Sequence, residues 1–147
     1  MIIWIDGDAC PKAIKDVIFK ASNRTKTECI LVANQFMQLP PSRFIKRMMV
    51  GQGFDAADDA IAESVSKDDV VVTSDLPLGK SCLDKCAKVI SPRGELFSLD
   101  TINQKLAMRD LNETLRGSGI HSGGSKPMSA KDVNQFANQL DRILAVR

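Results

Sequence analysis

The chain alternates short, uninterrupted apolar runs with longer segments whose apolar residues recur every three or four positions. The runs lie at residues 2–5, 29–33, 70–72 and, more weakly, 88–90. Apolar runs without polar alternation are typical of strands covered on both faces of a parallel sheet. The helical spacing begins at Pro11 and again at Asp55, and the stretch 83–87 forms part of a further predicted helix. The segment 44–50 fits either a helix or a strand.

This alternation predicts an α/β fold with right-handed crossovers, namely a three-layer open parallel sheet flanked by helices. The pattern changes after Pro92 to a C-terminal helical extension, with a helix over 101–116 and a Gly/Ser loop over 117–125. Ser129 and Asp132 resemble a capping box for a final amphipathic helix. We expect one domain over 1–147, with the sheet and its crossover helices in 1–98 and the extension in 99–147.

Composition places the chain among globular proteins, because 44% of its residues are apolar and 26% are charged. The start is apolar and then acidic, without a basic leader, and no run is long enough to span a bilayer. We therefore expect a cytoplasmic protein without a membrane partner, whose four cysteines stay reduced. Cys82 and Cys86 lie four apart on a predicted helix, but no second pair of ligands accompanies them, so thiols are favoured over zinc.

The net charge of +2 conceals two opposed blocks. Residues 11–47 hold eight Lys and Arg against Asp16 and Glu28, whereas residues 48–77 hold seven Asp and Glu against Lys67 alone. This pattern fits either an acidic site beside a basic surface or two solvated faces.

Acidic residues stand where three connections leave the predicted strands or open the helices that follow. Asp6 and Asp8 come after the first strand. A second group stands around the start of a helix, at Asp55, Asp58 and Asp59, and Asp75 follows the 70–72 strand. Ligands of open parallel sheets bind at the carboxyl ends of the strands, and oxygen ligands without His or Cys favour Mg²⁺ or Mn²⁺. Taken singly, each of these residues also fits a helix cap or a helix-dipole partner, Asp6 least well.

A cluster of this kind would hydrolyse phosphodiesters with a bound metal ion, and the basic block would hold the rest of a polyanion. Lys12 and Lys15 lie near the predicted site, and Ser74 is placed to position water or substrate. Ordinary solvated lysines explain most of the basic residues equally well. The chain has one Trp, no Tyr and six Phe, which leaves few aromatic platforms for single-stranded bases.

Ordered motifs along nearly the whole chain resemble the YaiI/YqxD family of bacterial proteins. They are Asp6-Gly-Asp8-Ala-Cys10-Pro11, Val32-Ala33-Asn34, Gly53 to Asp59 with Ile61, Thr73-Ser74-Asp75-Leu76-Pro77-Leu78, Pro92-Arg93-Gly94, Arg109-Asp110-Leu111 and Arg116. That family is similar to PIN-like domains, whose better-known members are metal-dependent ribonucleases. The resemblance departs at one loop, where the family's Thr-Gly-Gly-Pro is replaced by Ser122-Gly123-Gly124-Ser125.

The resemblance implies that Asp6, Asp58 and Asp75 hold metal and carry catalysis, with Asp8, Asp55 and Asp59 as neighbouring ligands. The implied substrate is RNA. We expect substrate contacts at Lys12, Asn34, Thr73, Ser74, Arg93, Ser122, Gly123 and Gly124.

Two other classes of function remain open at this point. Asp6-Gly-Asp8 also resembles the nucleophile and acid pair of haloacid-dehalogenase phosphatases, although the order of the later motifs does not agree. A cysteine phosphatase would need an arginine six residues after Cys10, where this chain has Asp16. A non-catalytic RNA-binding or protein-binding module would keep the fold and leave the acidic residues unused.

Overall fold

Six strands and five helices make up the described part of the chain. The computed structural model describes residues 1–53, 56–117 and 127–146, and the side chains of all of these except 112–117. The strands are β1 (Ile2–Asp6), β2 (Glu28–Ala33), β3 (Ile45–Met49), β4 (Val70–Val72), β5 (Lys88–Ile90) and β6 (Leu96–Phe97). The helices are α1 (Lys12–Thr25), α2 (Ala56–Ser64), α3 (Leu76–Asp84), α4 (Leu99–Gly117) and α5 (Ala130–Ala145).

The strands form one sheet in the order β3-β2-β1-β4-β5-β6, parallel except for the antiparallel pairing of β6 with β5. The chain moves outward from β1 through β2 to β3 and then returns to pair β4 with the other side of β1. The order therefore reverses between β1 and β4. In open α/β sheets, ligands bind outside the carboxyl ends of the strands at this switch point.

Both faces of the sheet are covered, which gives three layers. Ile3 and Ile5 of β1 lie in a core shared with α1 and α5, whereas Trp4 lies in the opposite core with α2, α3 and α4. The uninterrupted apolar character of β1 reflects this burial on both sides. The predicted three-layer α/β sheet with C-terminal helices is confirmed.

One buried carboxylate belongs to the opposite end of the sheet. Asp69, just before β4, accepts hydrogen bonds from the Trp4 indole at 3.1 Å and from the backbone amides of Ile2 and Ser66 at 3.0 and 2.9 Å. These bonds satisfy the carboxylate and fix the amino end of β1 against β4. Asp69 is one of the seven acidic residues in 48–77, but these bonds give it a structural role.

The helix expected to include 83–87 ends earlier than predicted. α3 ends at Asp84, and the Ala87 amide bonds back to the Cys82 carbonyl at 3.1 Å while Cys86 takes a left-handed φ of 65°. Cys82 is buried on the helix and Cys86 is exposed beyond it. The two thiols thus do not share a helical face, and the expected helical placement of this pair was wrong.

The remaining boundaries follow local chemistry. The ambiguous segment 44–50 contains the edge strand β3, and Pro11 occupies the N-cap position of α1, which begins one residue later than predicted. The capping box of Ser129 and Asp132 is present at the start of α5 and confirms that prediction. Among the described helices, none combines the length and apolarity that crossing a membrane requires.

Candidate functional site

The carboxyl ends of β1 and β4 bring two of the predicted acidic residues together through one hydroxyl. Asp6 ends β1 and is 7% exposed, and the buried Thr73 follows β4. The Thr73 hydroxyl donates to Asp6 Oδ2 at 3.3 Å and accepts from the Asp75 amide at 3.0 Å. The Asp75 carboxylate in turn caps α3 by accepting from the Leu78 amide at 2.8 Å. Asp75 is thus a helix cap that also faces the site.

Asp6 has the most perturbed environment of these acidic residues. Burial raises its pKa above the ordinary 3.8, the Thr73 hydrogen bond partly offsets this, and the negative charges of Asp75 and Asp8 raise the pKa further. Asp8 and Asp75 therefore both act electrostatically on Asp6 at the switch point. We refer to these three carboxylates as the acidic edge.

Close packing of the backbone sets the position of Asp8. The Gly7 amide donates to the Val32 carbonyl at 2.8 Å, and a Cβ at Gly7 would lie 2.8 Å from Leu31 Cδ1. Only glycine allows this approach without a shift of Leu31. Asp8 is exposed, and its Oδ2 accepts from the Asn34 amide at 3.0 Å. Asn34 therefore contributes its backbone to the site.

A shallow hollow of about 390 Å³ holds the second group of acidic residues. Asp58, Asp59 and Asp75 line it together with Arg109 of α4. Asp58 and Asp59 stand in the first turn of α2, where they also suit the helix dipole. Asp55 lies outside the described residues. The hollow is therefore lined both by the first turn of α2 and by Asp75 of the acidic edge.

The donor chemistry suits a hard divalent cation, but only in part. Within residues 1–53, 56–117 and 127–146, no three His, Cys, Asp or Glu side chains are grouped so that they would hold a metal ion together. The four ion pairs found between described side chains do not involve Asp6, Asp8 or Asp75. The convergence of Asp6, Asp58 and Asp75 on one ion thus stays a prediction, whereas Asp6 and Asp75 lie within electrostatic reach of each other.

A cleft of about 630 Å³ opens beside the acidic edge. Ser74 lines it next to Asp75, and the connection after β5 lines the far wall. Its apolar and positively charged lining residues are Ala9, Pro11, Leu76, Pro92, Phe97, Met108, Met128, Arg93, Lys105 and Arg109. The cleft is thus partly apolar and carries three cations together with Glu95.

Arg93 and Lys105 each form an ion pair with a described carboxylate. Arg93 lies 2.6 Å from Asp132 Oδ2, and Lys105 lies 3.3 Å from Glu95. Arg93 thereby ties the cleft wall to the start of α5. Arg109 lines both the cleft and the acidic hollow, which makes it the cation shared by the two.

The structure places the predicted substrate contacts in different parts of the molecule. Thr73 and Asn34 lie at the acidic edge, and Ser74 and Arg93 line the cleft. Lys12 is the first residue of α1 and is exposed. The predicted loop contacts Ser122, Gly123 and Gly124 lie outside the described residues.

The cysteines argue against a thiolate nucleophile. Burial raises the pKa of Cys10 to about 12, and it raises the pKa of Cys82 to about 11. A catalytic cysteine needs its pKa lowered by nearby cations or a helix N-terminus. The cysteine phosphatase alternative is therefore not supported by Cys10.

Sequence reasoning missed three parts of the site. Lys105 and Phe97 carry no motif, and Arg109, although part of a family motif, was not taken for a site residue. Its signal was available, because Arg109 follows Lys105 by four residues and thus shares its helix face. The role of the Asn34 amide had no such signal, since every non-proline residue carries one.

Comparison with known proteins assigns the chain to a family. Residues 4–146 match the model described as the uncharacterised YaiI/YqxD family. A UPF0178 protein of Pseudoalteromonas translucida is 49% identical over 146 residues, covering 99% of this chain and 97% of that protein. A UPF0178 protein of Idiomarina loihiensis is 50% identical over 145 residues, which is 99% of each. No solved structure matches with statistical significance. The chain therefore belongs to the YaiI/YqxD family.

Proposed function

We propose that the acidic edge binds Mg²⁺ or Mn²⁺ and that the protein hydrolyses RNA phosphodiesters there. One observation carries the proposal. Asp6 is a buried carboxylate at the sheet's switch point, and two further carboxylates raise its pKa without a neighbouring cation among the described ion pairs. A buried charge beside like charges is costly unless something offsets it. A divalent cation would supply that compensation.

The donor set supports magnesium chemistry rather than zinc chemistry. Mg²⁺ is commonly held by one or two carboxylates, with water and substrate phosphates completing its shell. Asp6 and Asp75 would be the two carboxylates that bind the ion, and Asp8 and Asp58 would not bind it directly. When bound, such an ion activates water and neutralises the charge that develops on phosphorus.

The chain's own residues have separate tasks in this proposal. The Thr73 hydroxyl orients the Asp6 carboxylate and fixes the Asp75 backbone at the same time. Arg109 and Lys105 would attract the phosphates that flank the bond to be cleaved, because they line the cleft beside the acidic edge. The similarity of the YaiI/YqxD family to PIN-like domains, whose better-known members are metal-dependent ribonucleases, supports the same reaction.

Metal binding is tested by titrating Mn²⁺ into the wild type and into Asp6→Asn, followed by isothermal calorimetry. We expect binding to the wild type to weaken at least tenfold in Asp6→Asn, since a neutral amide is a poor partner for the ion. Asp84→Asn is the matched control: it removes an exposed carboxylate from the far end of α3, about 13 Å along the helix from Asp75. Equal Mn²⁺ binding by all three proteins would overturn the proposed site.

Activity is tested with mixed-sequence RNA in Mn²⁺ and in Mg²⁺, using the wild type, Asp6→Asn and Asp75→Asn. We expect metal-dependent cleavage by the wild type alone. Release of phosphate from a phosphomonoester without cleavage of RNA would instead favour the haloacid-dehalogenase alternative. RNA binding that survives in Asp6→Asn, without cleavage by any of the proteins, would favour the non-catalytic module.

A further inference from the structure

The connection between β2 and β3 carries an exposed aromatic ring on an anchored segment. Phe36 is 70% exposed, whereas Met37 and Leu39 pack against the core shared with α1 and α5. The backbone around Phe36 is thus held by its neighbours. The ring itself gains almost nothing from the core.

Arg47 of the edge strand β3 fixes this ring in place. Its guanidinium carbon lies 4.3 Å from the centroid of the Phe36 ring, and its Nη1 donates to the Met37 carbonyl at 3.1 Å. The cation–π contact places a delocalised positive charge against the aromatic surface. Ring and guanidinium therefore form a preordered pair at the protein surface.

The pair lies close to the acidic edge. The Asn34 amide donates to Asp8, and Phe36 follows two residues later, which is at most about 7 Å of extended chain. On the other side of the segment, Lys15 Nζ of α1 lies 3.3 Å from Met37 Sδ. A ligand that contacts Phe36 is therefore within reach of Asp8 and of a second cation.

The surrounding charge is complementary to a polyanion. Phe36 and Arg47 belong to the basic block 11–47, and Arg43 stacks on Phe44 at 4.9 Å further along the same edge. Basic side chains alone would be explained by protection of an edge strand from pairing. Protection of the edge strand does not explain the exposed Phe36 ring, because an exposed apolar ring favours association with other molecules. Single-stranded nucleic acid uses both features, stacking its bases on aromatic rings and its phosphates near cations.

We propose that Phe36 and Arg47 form a stacking platform for a base of single-stranded RNA. This inference rests on the proposed function and narrows its substrate, because the bases of a duplex are already stacked and cannot lie on the ring. The chain was expected to offer few aromatic platforms. Phe36 supplies one because it is held out of the core.

The test measures RNA binding separately from cleavage. The anisotropy of a fluorescein-labelled 12-nucleotide mixed-sequence RNA is followed at constant salt with EDTA present, as a single strand and as a duplex with its complement. We expect Phe36→Ala to weaken single-strand binding about fivefold or more and to leave duplex binding unchanged. Leu99→Ala, which shortens another exposed apolar side chain, is the matched control and should bind like the wild type.

A second variant gives a direct readout of stacking. Phe36→Trp should retain the affinity. A base that stacks on the new indole should quench its fluorescence when unlabelled single-stranded RNA is added, and the buried Trp4 should contribute little to this change. Circular dichroism confirms that the variants fold. Because binding is measured in EDTA, it does not depend on metal-dependent cleavage, which separates this inference from the proposed catalysis.

The outcomes are distinguishable. Unchanged single-strand binding in Phe36→Ala, or no binding by the wild type, overturns the platform even if metal-dependent cleavage is found. Weakened binding without quenching of Phe36→Trp also overturns stacking. If sedimentation shows a dimer that dissociates in Phe36→Ala, the edge pairs with a second copy and the RNA platform is wrong.

Discussion

The Thr73 hydroxyl joins the ends of the two central strands, because it donates to Asp6 Oδ2 at 3.3 Å and accepts from the Asp75 amide at 3.0 Å. Thr73 is 1% exposed, so water does not replace either partner. One buried hydroxyl thus positions a carboxylate after β1 and the helix cap after β4. The relative positions of Asp6 and Asp75 therefore depend on the Thr73 hydroxyl, which bonds to both residues.

Replacing Thr73 by Val should destabilise the protein by about 1–3 kcal/mol, because the buried Asp6 carboxylate loses a donor and the half-buried Asp75 amide loses its acceptor. The free energy of unfolding from urea titrations measures this. Thr73→Ser keeps the hydroxyl and loses one methyl group, so it should retain more stability than Thr73→Val and more of the Mn²⁺ affinity. Thr73→Val as stable as the wild type would show that the two bonds contribute little.

Replacing Asp6 by Asn should stabilise the protein at neutral pH. The pKa of Asp6 is raised in the folded state, so the folded protein binds the proton more tightly than the unfolded chain. The contribution of Asp6 to stability is therefore greatest below its ordinary pKa of 3.8, and it is lost as the pH rises through the folded-state value. The advantage of Asp6→Asn should appear at pH 7 and shrink towards pH 4.

Urea unfolding of both proteins between pH 4 and pH 8 checks this difference. Asp84→Asn, which removes an exposed carboxylate, should change the free energy of unfolding less at pH 7. A difference between wild type and Asp6→Asn that stays constant with pH would contradict the prediction.

Asp132 should show the opposite dependence on pH. The Ser129 amide, the Ser129 hydroxyl and Arg93 hold the pKa of this carboxyl below its ordinary 3.8 against a smaller opposing effect of desolvation. Its contribution to stability is therefore present above pH 3.8 and is lost as the pH falls through the lowered folded-state value. Asp132→Asn should be less stable than the wild type at pH 7, and the two should converge in acid.

The measurement is urea unfolding from pH 3 to pH 7, with helix content followed by circular dichroism. Ser129→Ala removes the other half of the capping box and should cost about 1 kcal/mol. If Asp132→Asn and the wild type differ equally at pH 3 and pH 7, the carboxylate charge is not what stabilises α5.

The strands and most helices could be predicted because their signals are local. An apolar run such as 70–72 or a proline such as Pro11 marks an element wherever it occurs. The end of α3 could not be predicted, because the left-handed φ falls on Cys86 rather than on a glycine, which would have marked it. β6 was missed because two residues are too few to show a period.

The acidic edge could be predicted in part for the same reason. Asp6 and Asp75 follow neighbouring parallel strands, so the topology brings them to one end of the sheet. Asp8 accepts a hydrogen bond from the backbone amide of Asn34, and a backbone contact of this kind leaves no signal in the sequence. The exposure of Phe36 depends on how the β2–β3 connection packs, whereas the sequence shows only an apolar residue among several.

Gly94, between the cleft residues Arg93 and Glu95, should be difficult to replace. It has a φ of +88°, and a Cβ there would lie 2.7 Å from backbone atoms of Gln135 and Phe136 in α5. The backbone of α5 does not move aside easily, because the helix is anchored to the core through Phe136, so Gly94→Ala combines strain with a clash and should cost about 2 kcal/mol or more. Gly51→Ala is the matched control, because a Cβ at Gly51 meets nothing within 4 Å.

The same substitution should act on the cleft beyond its effect on stability. Arg93 precedes Gly94 and reaches Asp132 at the start of α5, so pushing this turn away from α5 lengthens the 2.6 Å ion pair. The loss of that pair should remove only the part of the Asp132 stabilisation that Arg93 supplies, because the bonds from Ser129 remain, so Gly94→Ala and Asp132→Asn together should cost less than the sum of the two. Urea unfolding of the double variant at pH 3 and pH 7 measures this coupling, and strictly additive effects would show that the turn and the cap of α5 are independent.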